Sequence, residues 1–192
     1  PCSEIYVDRG PSFGCGKSDC TVGCDCDRYL EIWNLVFIQF HRNEKGEYKP
    51  LEKKGIDTGM GLERIAAVMQ GAKSVFDTDT FKSIASTVLK VAGHPNKLND
   101  KQRSALRIVT DHARAMAFLV GDGVLPTNEG RGYVLRRLIR RAVRNGRLLG
   151  IKDPFMVNVA DAVCKEFGHD YPELITRKDH IFKVIKVEEE RF

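Results

Sequence analysis

The segment Asp57-Thr58-Gly59-Met60-Gly61-Leu62-Glu63-Arg64-Ile65 constrains the fold more than any other stretch of the chain. After its glycines, Leu62, Ile65, Ala66 and Met69 recur at helical spacing, so residues 62–70 predict a helix. Before them, Ile56 and Asp57 read as the end of a strand. The two glycines therefore fall at a strand-to-helix junction, where the missing Cβ lets a ligand or a second backbone come close. A helix N-terminus at that point favours an anion. Arg64, in the first turn, carries a planar fork of donors suited to phosphate. A lone G-x-G is equally the mark of an ordinary glycine-rich turn beside a surface arginine, so the flanking sequence has to decide.

On the N-terminal side the period is two. Residues 4–8 alternate and predict a short strand, followed by a loop over 9–23. Residues 30–41 (LEIWNLVFIQFH) are rich in β-branched and aromatic side chains. Strict alternation places Leu30, Ile32, Asn34, Val36, Ile38 and Phe40 on one face and Glu31, Trp33, Leu35, Phe37 and Gln39 on the other. Both faces are mostly apolar, which predicts a central strand covered on both sides. Asn43-Glu44-Lys45-Gly46 signals a turn, and residues 47–52 return as a partner strand, with Pro50 indicating an edge.

From residue 80 onward the period is that of helices. Apolar residues at 81, 84, 85, 88 and 91 or 92 predict a helix over 80–92, entered from a cap at Asp77 or Thr78 and stopped by Gly93-His94-Pro95-Asn96. Leu106, Val109, Ala113, Met116, Ala117 and Val120 form the stripe of a helix over 101–120. Asp153-Pro154 reads as an N-cap and first helical residue opening a helix over 153–167, and residues 172–192 read as one final helix. The expected class is α+β, an antiparallel sheet followed by an all-α region. Apolar residues make up 42% of the 192 and charged residues 30%, as in soluble globular proteins. No apolar run approaches the ~20 residues that span a bilayer, and no charged-then-apolar leader is present. The chain opens at Pro1, and its last residues read as the middle of a helix, so both ends look like cuts in a longer protein.

Several side chains stand out from this pattern. Asn34 is polar on an apolar strand face, where it either satisfies a neighbouring backbone group or meets a ligand. Glu31 is either half of a strand-face ion pair or a carboxylate for Mg2+. His112 lies beside an apolar stripe, and bonding to Asp111 or backbone explains it better than catalysis. Cys15, Cys20, Cys24 and Cys26 follow the pattern C-x4-C-x3-C-x-C. Four clustered thiols suit Zn2+, although the spacing is not that of a common finger or ribbon and ordinary reduced loop cysteines remain the alternative. Cys2 is a stray fifth thiol and Cys164 a packed one.

The most basic stretch follows the loop at 121–130. Arg131, Arg136, Arg137, Arg140, Arg141, Arg144 and Arg147 fall between two carboxylates, Glu129 and Asp153, with none between them. Residues 134, 135, 138, 139, 142 and 143 are apolar and can face a core. Arginines at 136, 140 and 144, and at 137 and 141, then stack at i, i+4 on the other side. Such a face meets either a polyanion or carboxylates from other helices. A basic helix beside a polar loop suits duplex RNA, which is recognised largely by shape and phosphate.

The string DTGMGLERIAAV resembles motif 3 of the class II aminoacyl-tRNA synthetases, in the form found in the alanyl-tRNA synthetases. PCSEIYVDRG at 1–10, DRYLEIWNLVFIQF at 27–40, DHARAMAFLVGDGVLPTNEGRGYVLRRLIRRAVRNGRLLG at 111–150 and KVEEERF at 186–192 resemble that family in the same order. The resemblance implies that residues 1–75 are the C-terminal part of an aminoacylation domain and residues 76–192 a truncated helical tRNA-recognition domain. Class II motifs 1 and 2, with the arginine that clamps the α-phosphate, are not in this stretch, so it is expected to be inactive alone. The resemblance further implies an alanine pocket at Asn34, Val36, Asp57 and Gly59, ATP held at Gly59, Gly61 and Arg64, and Arg64 as a catalytic contact to the γ-phosphate. ATP, Mg2+, alanine and the acceptor stem of tRNA(Ala) are the implied ligands. Asn128 would read the G·U pair of that stem, and Arg131, Arg136, Arg137, Arg140, Arg141 and Arg144 would meet its backbone. A cytoplasmic enzyme follows from the same resemblance. A non-catalytic RNA-binding module using the helix at 131–147, and a zinc-stapled structural domain, are the competing readings.

Overall fold

A computed structural model describes residues 1–93 and 97–192, and the chain divides into two compact units, residues 1–78 and residues 79–192. The expected His94-Pro95-Asn96 part of the helix stop lies outside the described residues.

The first unit is an antiparallel sheet of three strands in the order β1-β2-β3, with β1 Cys2–Asp8, β2 Tyr29–Arg42 and β3 Tyr48–Met60. Residues Asn43 to Glu47 close the β2–β3 hairpin. The Asn43 side chain accepts from the Glu47 N–H at 2.9 Å, and Gly46 turns at a φ of +84°, where only glycine is unstrained. β2 is central, as its composition predicts, but the sheet is not covered on both faces. Val36, Ile38 and Phe40 are each exposed by 41–49%. The physical reason is area. Within residues 1–78 only one short helix, α1 Leu62–Met69, packs on the sheet, against the side that carries Val7 and Leu30. β3 is an edge strand, and Lys49, Pro50, Lys53 and Lys54 along it are residues that discourage further strand pairing.

β3 also runs longer than expected. It continues through Gly55 and Gly59 to Met60, so Gly59 is a strand residue paired with Asn34, and Gly61 alone caps the helix. The register is broken twice. Ile38 pairs with Gly55 and Phe40 with Pro50, which loops out 51–54. Ile5 pairs with Trp33 and Tyr6 with Glu31, which makes Ile32 a bulge residue on β2.

The second unit is all helix: α2 Asp79–Ala92, α3 Asp100–Gly121, α4 Gly130–Leu148, α5 Met156–Phe167, α6 Glu173–Thr176 and α7 Lys178–Glu190. α3 is opened by a capping box in which Asn99 accepts from Gln102 N–H and the Gln102 side chain accepts from Asn99 N–H. Its predicted stripe is buried at Val109, Ala113, Met116, Ala117 and Val120, and packs with Leu135, Ile139, Met156, Val159, Ile181 and Ile185 into one core.

Two boundaries differ from expectation. The final helix is two helices, because Arg177 leaves helical geometry (φ −103°, ψ 12°) and sends its guanidinium to the free carbonyl of Gly121 at the end of α3. α5 begins at Met156 rather than 153, and Asp153 does not cap it. Instead the buried Glu189 of α7 accepts the N–H groups of Phe155 at 2.9 Å and Met156 at 3.1 Å. Burial pushes the Glu189 carboxyl up from its ordinary value, against the pull of these two N–H groups. A carboxylate in that place satisfies donors that no intrahelical carbonyl reaches.

Replacing Glu189 with Ala strands those two N–H groups, and a hydrogen bond to a charged group contributes ~1.5–3 kcal/mol. Chemical denaturation is expected to show a loss of that order for E189A, while E190Q at the neighbouring exposed position stays within ~0.5 kcal/mol of the parent.

Candidate functional site

The bulge at Ile32 determines which side chains meet on the sheet. Strict alternation would put Glu31 and Asn34 on opposite faces. Because Ile32 is an extra residue, Glu31 pairs with Tyr6 while Asn34 pairs with Glu4, two β1 residues that share a face. On the other side of β2, Asn34 pairs with Gly59 and Val36 with Asp57. One face of the sheet thus carries Glu4, Tyr6, Glu31, Asn34, Val36, Asp57 and Gly59. The expected grouping of Glu31 with Trp33 is corrected by this bulge. The opposite face carries Trp33 and Thr58, which hydrogen-bond to each other.

The polar groups of this face form a connected set. Asn34 Nδ2 donates to Glu4 Oε1 at 3.0 Å, and the Tyr6 hydroxyl donates to Glu4 Oε2 at 2.6 Å. That bond to a carboxylate raises the Tyr6 phenol above its usual range. Arg64 Nη1 donates to the backbone carbonyl of Glu31 at 2.8 Å and lies 3.4 Å from its carboxylate. Asn34 therefore meets a carboxylate rather than a backbone group, and Glu31 is half of an ion pair. Gly61 has a local role, because a Cβ there would stand 3.2 Å from Arg64 Cδ, against the stem of the folded-back arginine. Above Gly59 there is open space. The arrangement offers an arginine, an exposed carboxylate at Asp57 and an oriented amide on a solvent-open face. Glu4 and Tyr6 were missed in the sequence, although the alternation of Glu4, Tyr6 and Asp8 on β1 marks a polar face.

In the same unit the sulfurs of Cys15, Cys20, Cys24 and Cys26 all lie within 4.8 Å of one another. The N–H of Arg28 holds the Cys26 thiol down at about 7. Cys2 is exposed and Cys164 buried, and neither is a member of this group of four.

In the helical unit the arginines of α4 separate into two groups. Arg136 Nε and Arg140 Nε both donate to Oε1 of the buried Glu188, at 3.1 and 2.8 Å. This corrects the expectation of a single stripe over 136, 140 and 144: α7 supplies a carboxylate to two of them. Arg147 closes onto the carbonyls of Ile151 and Lys152. Arg137, Arg141 and Arg144 share the exposed side of the helix with Tyr133 and Leu148, and Arg131 is exposed at its start. Val134, expected in the core, is 53% exposed, whereas Leu135, Ile139, Ala142 and Val143 are buried. Asn128, in the loop before α4, accepts a hydrogen bond from Arg136 through Oδ1. Since arginine only donates, the Asn128 carbonyl is occupied and its amide nitrogen is the group left to donate. Gly132 lets this loop lie on the helix, because a Cβ there would run into Thr127 and the Leu125 carbonyl. His112 bonds through Nδ1 to Asp111 at 2.9 Å and is nearly buried, as a boundary histidine should be.

Comparison with known proteins covers the whole chain. The family model for tRNA synthetases class II (A) matches residues 1–192. Over all 192 residues the chain is 58% identical to the alanine–tRNA ligases of Pelotomaculum thermopropionicum and Desulforamulus reducens, and 56% identical to that of Clostridioides difficile. It covers 22% of the length of each of these relatives. With a motif-3-like strand, glycine and arginine in place on an antiparallel sheet, and a match running from Pro1 to Phe192, the chain belongs to the class II (A) tRNA synthetase family.

Proposed function

We propose that these residues are the motif 3 and acceptor-stem part of an alanine–tRNA ligase, which condenses alanine with ATP and passes the alanyl group to tRNA(Ala) in the cytoplasm. The observation that carries the reading is the register of β1, β2 and β3, which gathers Asn34, Val36, Asp57 and Gly59 on one face with Arg64 at its end. On that face the Asp57 carboxylate takes the α-ammonium of alanine by a charge-assisted hydrogen bond. Val36 and the open space at Gly59 receive the methyl group. Asn34, held by Glu4, presents an oriented amide. Arg64 leaves Glu31 for the γ-phosphate of ATP, with Gly59 and Gly61 clearing room for the nucleotide. Mg2+ would supply neutralisation of the phosphate charge, with Glu31 its carboxylate. Catalysis on this reading is positioning and charge stabilisation of the transferring phosphorus.

The helical unit supplies the RNA contact. Arg137, Arg141 and Arg144, with Arg131, present exposed cations for the acceptor-stem backbone, while Arg136 and Arg140 chiefly shape the surface through Glu188. Arg136 orients Asn128, whose amide donates into the minor groove at the G·U pair. The competing reading, an RNA-binding module without catalysis, draws on the fact that residues 79–192 carry a core of their own.

Three measurements separate these. In the full-length ligase, R64A is expected to lower alanine-dependent ATP–pyrophosphate exchange by ~10²–10³-fold, the scale of one lost charge-stabilising donor. Unchanged exchange removes Arg64 from the chemistry. Residues 1–192 alone are expected to exchange no faster than a blank, since class II motifs 1 and 2 are not in this stretch, and exchange above the blank overturns that expectation.

For RNA, R137E/R141E/R144E is expected to weaken tRNA binding and to lessen the slope of log affinity against log salt by about 2–3, with thermal stability unchanged. R136E/R140E is expected to lower stability first. It leaves Glu188 buried without partners, at a cost below the ~3–5 kcal/mol of a fully buried pair because the arginines are 29% and 34% exposed. Salt-independent affinity would eliminate the phosphate contacts.

A further inference from the structure

The loop joining β1 to β2, residues 9–28, has almost nothing apolar to order it. Its regular structure is one 3-10 turn at Pro11–Phe13, and Val22 is half exposed. Loops longer than about 12–15 residues without structure of their own are uncommon in compact domains. This one is nevertheless closed at its base. The Arg9 N–H donates to the Arg28 carbonyl at 2.8 Å, and Arg28 makes a two-pronged pair with Asp8, both prongs at 2.8 Å. Arg9 stacks on Phe13 and reaches the carbonyls of Asp27 and Lys73. In the far part of the loop two backbone turns, Cys20 N–H to the Lys17 carbonyl and Cys24 N–H to the Thr21 carbonyl, bring the four cysteine side chains together.

We propose that Cys15, Cys20, Cys24 and Cys26 bind one Zn2+ as four thiolates, and that this centre is the clip that sets the β1–β2 loop. Four sulfurs placed ~2.3 Å from a central zinc at tetrahedral corners lie about 3.8 Å apart. Here Cys15 and Cys24 are 3.6 Å apart, Cys20 and Cys26 are 3.6 Å apart, and no pair exceeds 4.8 Å. The surrounding backbone is built for sulfur anions. The N–H of Lys17 points to Cys15, that of Cys26 to Cys24 and that of Arg28 to Cys26, three donors each two residues after the sulfur they serve. Left-handed turns at Gly16 (φ +77°) and Gly23 (φ +91°) bend the chain beside Cys15 and Cys24. Arg28 also hydrogen-bonds Cys20, which puts a cation against a centre of net charge −2. Binding releases one proton from each of the four thiols and involves no change of oxidation state. A closed set of four sulfurs is a structural rather than a catalytic centre, and thiolate softness with tetrahedral shape selects zinc among common divalent ions.

The chain purified in reductant without added metal is expected to hold one zinc per molecule by elemental analysis. Thiol titration of the native protein should then count only the exposed Cys2, and a chelator should release four more thiols while buried Cys164 stays silent. Cobalt(II) added to the metal-free protein should give the thiolate charge-transfer and ligand-field bands of a tetrahedral site. C20S and C24S should each lose the metal, whereas C2S and C164S keep it. Because a cysteine variant could fail to fold, the chelator and cobalt arms on the unaltered chain decide the matter. Zinc well below stoichiometric with four reactive thiols, iron in its place, or Cys15–Cys24 and Cys20–Cys26 disulfides on peptide mapping would each overturn the proposal.

Discussion

Backbone pairing between β2 and its two neighbours sets which side chains can meet in residues 1–78, because one residue of slip moves a strand's whole side-chain set to the other face. In the pairing of β1 with β2 the slip happens once, at Ile32 of β2, and it is confined to a single residue. Its consequence is chemical. Glu31 joins the face of Asn34, where it holds Arg64 by carbonyl and carboxylate. Without the bulge, Arg64 would have to find its carboxylate on the far side of the sheet. The candidate pocket is therefore a product of register, and the glycine–arginine motif contributes only one of its walls.

The helical unit turns on two adjacent carboxylates with different work. Glu188 sits 4% exposed between Arg136 and Arg140, while Glu189, 6% exposed, caps α5. Removing charge from water is costly unless each oxygen is met by donors. Glu189 meets that condition through backbone N–H on both oxygens, while Glu188 takes two guanidinium N–H on Oε1. Their joint effect is to pin α7 to α4 and to α5. A surface of exposed arginines is carried by α4 more easily because Glu188 offsets one of the two charges of Arg136 and Arg140, which lessens the like-charge repulsion along the helix.

Much of this was legible in the residues themselves. Period-two runs marked β1 and β2, a turn signal marked the return into β3, period-3.6 runs marked the long helices, and the resemblance at Asp57–Val68 identified the family. What was not legible depended on contacts distant in sequence. Alternation cannot announce a bulge such as Ile32, since its cause lies in the pairing with β1. The split of the 172–192 helix at Arg177 reflects a carbonyl at Gly121, 56 residues away. The division of the arginines into Arg136 and Arg140 against Arg137, Arg141 and Arg144 needed the position of Glu188. Asp153-Pro154 has the local signature of a helix start, and it was overruled by a buried glutamate arriving from another helix.

The glycines of β3 bear on what occupies the sheet face. Gly132 in α4 has an evident cause, since a Cβ would strike the preceding loop. Gly55 and Gly59 have none of this kind. A Cβ at either would meet nothing within 4 Å, and neither takes a positive φ. Glycine inside a strand lowers its stability and contributes no packing. By register both glycines lie on the face of Asn34, on either side of Asp57. The strand thus presents a single carboxylate flanked by bare backbone on that side. The packing of residues 1–78 does not ask for such a surface, and the seat proposed above for the ammonium group of alanine at Asp57 would use it.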